Sequence, residues 1–274
     1  MRIRNCEKYE MIATEIRKKI VEMCAVSKSS HIGSALSTVD ILVSLYFHIL
    51  RIDPKRPYTD TRDRFILSKG HACAALYAVL ASRGFFSKAT LNRYAIDGGR
   101  LFAHATMGTI PGIEASTGSL GHGLSIGIGM AISGKYEKKN FRVFVLLSDG
   151  ECNEGSVWEA AMFASHHKLD NLIAIVDYNK LQAFGRTNEV VNLEPFAEKW
   201  RSFGWSVKEI DGHDFRQLIP TFEKIPFKKS SPCLIIAHTV KGKGISFMED
   251  KLEWHYKSPN EVELGMALKE LDSK

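Results

Sequence analysis

Residues 142–185 have the sequence RVFVLLSDGECNEGSVWEAAMFASHHKLDNLIAIVDYNKLQAFG, and this stretch is the main indication of the fold. Two apolar runs, at 143–147 and 172–176, each end in a polar turn. Between them, apolar residues recur at helical spacing, at Val157, Ala160, Ala161 and Ala164. The order of strand, turn, helix and strand predicts one βαβ unit of a parallel sheet.

Two oxygen-bearing side chains follow these predicted strands. Asp149 comes after the first strand and Asn179 after the second, and parallel sheets bind ligands beyond the carboxyl ends of their strands. A carboxylate and an amide oxygen suit Mg²⁺ or Ca²⁺, an ion that phosphates and water then complete. Gly150 would let an anion approach the backbone, and a helix beginning near Glu154 would offer it free N–H groups. The alternative is a hairpin turn at Asp149-Gly150, which the helical pattern downstream disfavours.

The composition narrows the class of protein. The chain has 274 residues, 45% of them hydrophobic, which is enough for one large domain or two small ones. Its net charge of +6 favours acidic ligands, but the positive residues are scattered, so we expect phosphorylated small molecules and no nucleic acid. Five cysteines without a CxxC motif indicate free thiols in a reducing compartment. With neither a signal-peptide pattern nor a membrane-spanning run, the sequence predicts a cytoplasmic protein with no membrane partner.

The segments SDGECNEG (148–155) and DYNKL (177–181) resemble the two halves of the thiamine-diphosphate-binding motif. With its flanking residues, the chain is similar to the N-terminal, diphosphate-binding domain of transketolase over roughly residues 10–260. The resemblance implies an α/β fold with a doubly wound parallel sheet and helices on both faces, in a single domain over residues 1–274. It implies thiamine diphosphate and Mg²⁺ (or Ca²⁺ or Mn²⁺) as cofactors, the ion being held by Asp149, Asn179 and the carbonyl of Leu181. The implied reaction moves a two-carbon ketol unit from a ketose phosphate to an aldose acceptor, the chemistry of pentose phosphate metabolism.

Four histidines in separate segments are the catalytic candidates that this resemblance implies. They are His31 in the segment 27–37, His71 after a strand predicted near residue 63, His104 in the glycine-rich segment 100–123, and His255 after the last predicted strand. By the family pattern, His31 contacts the sugar, whereas His71 and His104 meet both diphosphate and substrate. His255 bonds the diphosphate. Histidines suit proton transfer because their ordinary pKa lies near neutrality; judged alone, His31 would be a surface loop residue.

The resemblance also implies a set of cofactor-binding residues. They are His71, Gly118, Ser119, Leu120, Asp149, Gly150, Glu154, Asn179, Lys241 and His255. It further implies that Glu154 and Glu159 lie at a subunit interface, although the helix dipole would explain acids at this helix start equally well. We expect Cys152 to be a bystander near the site and His122 to be structural. His166 and His167 are expected at the far end of the helix.

The rest of the chain alternates predicted helices and strands. Helices are expected at 7–27, 39–49, 193–203 and 214–225, after residue 71, from residue 124 and beyond residue 260; strands are expected at 205–210 and 232–238. The segment 27–37 is predicted to be a polar loop, with Ser37 or Thr38 capping the helix that follows. The segment 100–123 shows neither period and is predicted to be irregular and functional.

Two bulky residues depart from the family pattern. Phe184 and Tyr256 stand where the family has smaller or more polar residues, and Ser148 replaces a glycine. Because Phe184 and Tyr256 lie near the predicted crevice, we expect preferred sugars other than the common pentose phosphates.

The resemblance also predicts a partner. The family carries the carboxylate that activates thiamine, and the arginines that grip the substrate phosphate, on a following pyrimidine-binding domain. Since the chain stops at Lys274, we expect that domain on a second chain, in an α₂β₂ heterotetramer. Half of a 2-oxoacid dehydrogenase, half of a deoxyxylulose-phosphate synthase and a non-catalytic regulatory subunit stay open as alternatives. The four histidines and the segment 152–160, CNEGSVWEA, favour transketolase over the first two.

Overall fold

The central element is a parallel sheet, which the computed structural model describes together with the rest of residues 3–273. Within those residues its five strands are β1 Arg64–Leu67, β2 Val143–Ser148, β3 Leu172–Tyr178, β4 Ser206–Asp211 and β5 Cys233–His238. Their order across the sheet is β1-β2-β3-β5-β4, and every neighbouring pair is parallel. The predicted strands are therefore confirmed, each within about two residues of its expected bounds.

Helices cover both faces of this sheet. They are α1 Ile3–Ser27, α2 Ile32–Ser37, α3 Val39–Ser44, α4 Cys73–Arg83, α5 Gly123–Tyr136, α6 Gly155–His166, α7 Thr187–Val190, α8 Phe196–Ser202, α9 Phe215–Glu223 and α10 Glu261–Asp272. Short 3₁₀ turns precede α4 and α6, at Gly70–Ala72 and Gly150–Asn153. No helix within residues 3–273 is long and apolar enough to span a lipid bilayer.

Alternate residues of β2 enter two separate hydrophobic cores. Phe144 and Leu146 pack with apolar side chains of α1, α3, α4 and α9 on one face. Val145 and Leu147 pack with those of α5, α6 and α8 on the other. Both faces of a doubly covered parallel sheet are buried, so its strands are apolar throughout, without the polar alternation of a half-exposed sheet. The predicted doubly wound architecture is confirmed.

The segment 27–37 is helical over its second half, so the loop prediction was wrong there. His31 has a left-handed backbone (φ 70°) and begins α2, whose six residues are all buried. Ser37 and Thr38 do not cap α3 through their side chains. The Ser37 hydroxyl donates to Asp177 at 2.7 Å, and the Thr38 hydroxyl donates to the Ala35 carbonyl at 2.9 Å. The serines that suggested a polar loop are used instead to dock α2 beneath the strand ends.

The strand register brings the ends of all five strands to one edge of the sheet. Leu67 of β1 lies opposite Leu146 of β2, and Ser148 lies opposite Asp177 of β3. His238 of β5 is level with the ends of both β3 and β4. The segment 102–122, which has neither helix nor strand, folds over the same edge, and the helix α7, which was not predicted, follows β3 there. The loops that carry the candidate residues therefore meet at the carboxyl edge.

Candidate active site

A cavity of about 420 Å³ opens at this carboxyl edge. Most of the predicted site residues line it, namely His31, His71, His104, Gly118, Leu120, Asp149, Gly150, Glu154, Asn179, Leu181 and His255. Two do not: Ser119 is exposed outside the cavity, and Lys241 is buried behind its wall. The topology thus brings together residues that lie more than 200 positions apart in the chain.

The four candidate histidines form one cluster on the wall of the cavity. The ring of His31 lies 5.0 Å from that of His71, 5.0 Å from that of His255 and 6.2 Å from that of His104, measured between ring centroids. The left-handed backbone at His31 directs its N–H to the carbonyl of His255, at 2.8 Å. His31 is therefore the centre of the cluster, and its strained backbone is held by the segment that carries His255.

Burial keeps three of these imidazole rings neutral, those of His31, His71 and His255. Burial, followed by the charges of His104 and Lys241, lowers the pKa of His31 to about 4. Burial and Lys241 lower the pKa of His255 to about 3, and burial holds the pKa of His71 well below its usual value. A neutral imidazole presents one donor and one acceptor nitrogen. The cluster can therefore both accept and donate protons at neutral pH.

Asp149 and Asn179 face the cavity from the ends of β2 and β3. The carboxylate of Asp149 accepts hydrogen bonds from the backbone N–H of Gly150 at 2.7 Å and of Lys180 at 2.6 Å. The amide oxygen of Asn179 accepts from the N–H of Leu181 at 3.1 Å. Each oxygen acceptor has a second lone pair, so these bonds leave capacity for another partner.

The charge of Asp149 fits the predicted metal ion. Asp149 is 1% exposed, and within residues 3–273 no lysine or arginine side chain forms an ion pair with it. Burial and the charge of Asp177 raise its pKa to about 6. In the described part of the chain no three His, Cys, Asp or Glu side chains cluster as a metal site. A hard cation with amide and carbonyl oxygens as further ligands suits this donor set better than zinc does.

A buried ion pair beneath the cavity orients Asn179, and this pair was not predicted from the sequence. Lys69 and Asp177 pair with both side chains 0% exposed. Asp177 also accepts from Ser37, from Thr239 and from the side-chain amide of Asn179 at 3.0 Å. The amide nitrogen of Asn179 is thereby used below the site, so its oxygen faces the other way. Removing one partner of such a buried pair typically costs about 3–5 kcal/mol.

A second buried carboxylate, Glu151, joins three strand-end loops. It accepts from the hydroxyl of Ser68, from the N–H of Gly121 at 2.9 Å and from the N–H of Ser148 at 3.2 Å. Glu151 is 0% exposed, and burial raises its pKa. It was not predicted as a site residue because an acid two positions after Asp149 looks like one more polar residue of a turn. The only indication in the sequence was that Glu151 lies between two small residues of the motif, Gly150 and Cys152.

Lys241 lies behind the wall of the cavity and contacts two residues of that wall. Its ammonium donates to the carbonyl of Leu181 at 3.1 Å and lies 2.8 Å from Nδ1 of His255. Burial and the charge of Lys69 lower its pKa to about 8. Because a protonated lysine has no acceptor, Nδ1 of His255 must accept this bond. The ring hydrogen of His255 is then on Nε2.

The remaining predicted residues lie at the margins of the site. Glu154 and Glu159 are exposed, and Cys152 is buried with its thiol donating to the carbonyl of Ser148. The ring of His122 is exposed and bonds the carbonyl of Leu120, while His166 and His167 are exposed at the end of α6. Of the two departures, Phe184 lines the cavity and is 82% exposed. Tyr256 is 60% exposed, with its ring 4.7 Å from that of His255.

Comparisons with known proteins agree with this geometry. The chain is 42% identical over 268 residues to a subunit of apulose-4-phosphate transketolase from Phocaeicola vulgatus, covering 98% of this chain and 95% of that protein. It is 41% identical to a 6-deoxy-6-sulfo-D-fructose transketolase subunit from a Clostridium species, over 96% and 95% of the two chains.

Solved structures agree as well. Transketolase from Campylobacter jejuni superposes with a TM-score of 0.89 at 28% identity, covering 99% of this chain and 43% of that one. The enzyme from Leishmania mexicana superposes with a TM-score of 0.90 at 26% identity, covering 96% of this chain and 41% of that one. The chain thus spans about two-fifths of these longer transketolases. The profile of the transketolase, thiamine diphosphate binding domain matches residues 8–270, and the chain belongs to this family.

Proposed function

We propose that this chain is the diphosphate-binding subunit of a split transketolase, transferring a two-carbon ketol unit from a ketose phosphate to an aldose acceptor. The observation that supports it most is that four histidines share one cavity with a buried carboxylate, Asp149, that forms no ion pair within the described residues 3–273. Neither half of that arrangement would be needed for packing alone. Together they combine proton transfer with a site for a divalent cation.

Thiamine diphosphate and Mg²⁺ would bind together in this cavity. Asp149, Asn179 and the carbonyl of Leu181 would hold the ion, and Gly150 and Glu154 would border it. Lys241 and the Nε2–H of His255 would add positive charge and a donor toward the diphosphate. Gly118 and Leu120 would form the wall against the rings. When bound, the cofactor supplies the carbanion that breaks and forms the carbon–carbon bond.

The histidines would handle substrate and protons. His31 and His104 would contact the sugar hydroxyls, while His71 would contact both substrate and cofactor. Since burial keeps His31 and His71 neutral at pH 7, either ring can accept a hydroxyl proton without first losing one of its own.

A second chain would complete the site. The relatives from Phocaeicola vulgatus and Clostridium, both named as transketolase subunits, align over nearly their whole length, and a name of this kind implies that a further chain exists. Phe184 and Tyr256 at the cavity, and Phe102 and Met107 on the segment that carries His104, are each more than half exposed. Large exposed apolar side chains grouped at one site mark protein interfaces. We assign to that partner the pyrimidine-binding domain, with two copies of each chain in the assembly and Glu154 and Glu159 at a contact between subunits.

The five cysteines are all free and buried, in keeping with a reducing compartment, so we place the assembly in the cytoplasm.

Reconstitution tests the proposal. The purified chain is assayed for ketol transfer between sugar phosphates with thiamine diphosphate and Mg²⁺, first alone and then with the product of the neighbouring reading frame. We expect no turnover by the chain alone and turnover by the mixture, abolished when D149A replaces the wild type. Full activity of the single chain would contradict the split assembly. Cofactor binding by the mixture without any ketol transfer would favour the regulatory alternative.

A further inference from the structure

The loop that carries Lys241 is held at both ends by one buried cluster outside the cavity. This loop, residues 240–243, follows β5 and contains Lys241 near its middle. The cluster is Arg17 of α1, Asp40 of α3 and His213, which follows β4. None of the three lines the cavity, so none is explained by contact with a ligand there.

His213 holds the first end of the loop. The N–H of Val240 donates to its Nε2 at 2.8 Å, and its Nδ1 lies 2.7 Å from the carboxylate of Asp40. Because a backbone N–H can only donate, Nε2 must be unprotonated, so the ring hydrogen is on Nδ1 and donates to Asp40. Asp40 therefore selects the tautomer that can accept from the loop.

Arg17 holds the other end of the loop through the same carboxylate. Its Nη2 donates to Asp40 at 2.5 Å, and its Nε donates to the carbonyl of Lys243 at 3.1 Å. Asp40 is 3% exposed, and although burial opposes its charge, Arg17 and His213 lower its pKa. The buried carboxylate of Asp40 thus holds two groups in place. One is the ring of His213, which accepts from Val240, and the other is the guanidinium of Arg17, which donates to Lys243.

The backbone between these two anchors leaves Lys241 little freedom. The N–H of Gly242 donates to the carbonyl of Gly33 at 3.0 Å. A Cβ on Gly33 would lie 3.0 Å from Cγ of Lys241, so the stem of the lysine packs directly against α2. From this backbone position the ammonium reaches the wall at Leu181 and His255.

We propose that His213 is a positioning residue that, by accepting the N–H of Val240, fixes Lys241 where its ammonium meets the cavity wall. The inference rests on the proposed role of Lys241 toward the diphosphate. His213 itself touches neither ligand nor reacting atoms, and its whole effect on the cofactor passes through Lys241.

Two substitutions of His213 separate its two hydrogen bonds. H213Q carries an amide oxygen at about the reach of Nε2 and can still accept from Val240. H213N carries an amide nitrogen near the place of Nδ1, which keeps the bond to Asp40 but leaves the N–H of Val240 without an acceptor. Affinity for thiamine diphosphate with Mg²⁺ is measured by calorimetry on the chain assembled with its companion subunit. We expect H213N to weaken binding by about tenfold, and H213Q by less than about threefold.

A double-mutant cycle with Lys241 distinguishes positioning from general support. If His213 acts through Lys241, H213N should weaken binding in the wild-type background and add almost nothing in K241M. An equal loss in both backgrounds, or no loss from H213N in the wild type, would overturn the proposal. H238N, at the exposed end of β5, is the matched control and should bind like the wild type. Thermal unfolding of each variant checks that the chain is folded.

The same measurements keep the two proposals apart. Wild-type binding and ketol transfer together with unchanged affinity in K241M would overturn the positioning role and leave the proposed function standing. Failure of the assembled wild type to bind the cofactor would instead contradict the proposed function.

Discussion

Asp149 and Asp177 are both buried at the strand ends, yet their surroundings shift their pKa values in opposite directions. Burial opposes the charge of Asp177, but Lys69, Thr239 and Ser37 outweigh it and lower its pKa. Within residues 3–273, Asp149 has hydrogen bonds from backbone N–H groups and no ion pair, and burial and the nearby Asp177 raise its pKa to about 6. Asp177 is thus balanced by Lys69, whereas Asp149 keeps capacity for the cation that we propose.

Removing that charge should separate binding from stability. We expect D149N to abolish metal-dependent binding of thiamine diphosphate, because a neutral amide lacks the negative charge that would balance the ion. At pH 7 its effect on the stability of the metal-free chain should be small, because two changes offset each other. The substitution removes a buried charge that increasingly opposes folding as the pH rises from 3.8 to about 6, but it also leaves one of the two backbone N–H donors without an acceptor. Calorimetry with and without chelator measures the first effect, and thermal unfolding the second.

The control for this experiment is D272N, at the exposed end of α10. Equal cofactor affinity in the wild type with and without a divalent metal would end the metal hypothesis.

The lowered pKa values of two half-buried histidines predict how the stability of the chain depends on pH. The pKa values of His31 and His255 are lowered from 6.5 to about 4 and about 3, so the unfolded chain binds more protons between these limits. The contribution of these two rings to the unfolding free energy should therefore fall as the pH drops from about 6.5 to about 4, by at most about 1.4 kcal/mol per pH unit for each ring. Asp149, with its raised pKa, contributes in the opposite direction over this range. The partial exposure of both rings reduces this slope.

Urea denaturation at a series of pH values checks this slope. H31N and H255N should each flatten it, whereas H166N, at the exposed end of α6, should leave it unchanged. A slope unaffected by either site substitution would show that the rings are charged in the folded chain.

At the scale of elements, the site depends on how the loops after the strands are fastened together. The central βαβ unit supplies Asp149 and Asn179, but it is Glu151 that ties its first loop to the loops after β1 and before α5. The Lys69–Asp177 pair ties the same edge to α2 through Ser34 and Ser37. Buried polar groups of this kind hold the loops in one arrangement, because a donor or acceptor left unpaired away from water costs free energy.

Removing Glu151 should loosen these loops together. E151A leaves the hydroxyl of Ser68 and the N–H groups of Gly121 and Ser148 without their acceptor, and we expect the unfolding free energy to fall by about 3 kcal/mol. Urea denaturation measures the loss, and the amide of Gly121 should exchange its hydrogen faster. E159A, an exposed change in the same segment, is the control. Equal stability of the two variants would show that water replaces the carboxylate.

At the scale of the whole molecule, we expect substrate choice to depend on surfaces that the fold brings together at the mouth of the cavity. Phe184 follows β3 and Tyr256 follows the 3₁₀ turn Leu252–His255, yet both border the same opening. Both are more than half exposed, so they meet whatever enters or covers the cavity. The relatives from Phocaeicola vulgatus and Clostridium are named for substrates other than the common pentose phosphates.

We predict that the assembled enzyme prefers sugars other than xylulose 5-phosphate and ribose 5-phosphate, because these two side chains add apolar bulk where a sugar would pass. F184S should raise the relative rate on pentose phosphates by at least about threefold, and Y256G should act in the same direction. A screen of ketose and aldose phosphates gives the ranking. Highest activity of the wild type on the two pentose phosphates would show both residues to be neutral; Y136S, exposed on α5, is the control.

Much of the fold could be predicted because the apolar periods are strong. The strands β2 and β3 and the helix α6 follow from residues 142–178, and the turn residues after each strand indicate which edge carries ligands. The segment 27–37 was misjudged because serine is counted as a loop former, whereas Ser34 and Ser37 are buried hydrogen-bonding partners of Lys69 and Asp177. Local composition cannot indicate a partner that lies 35 or 140 residues away.

The layer order, the parallel sheet and the identity of the groups at its carboxyl edge could all be inferred from the amino-acid sequence, because these depend on short-range periodicity and on turns. Which charges are balanced could be known only from the folded chain. In the sequence, Glu151 and Lys69 look like ordinary polar residues. His213 lies 28 positions before Lys241, the residue that we propose it positions. Their roles come from burial and from hydrogen-bonding partners on distant parts of the chain. Both arise only once the chain has folded.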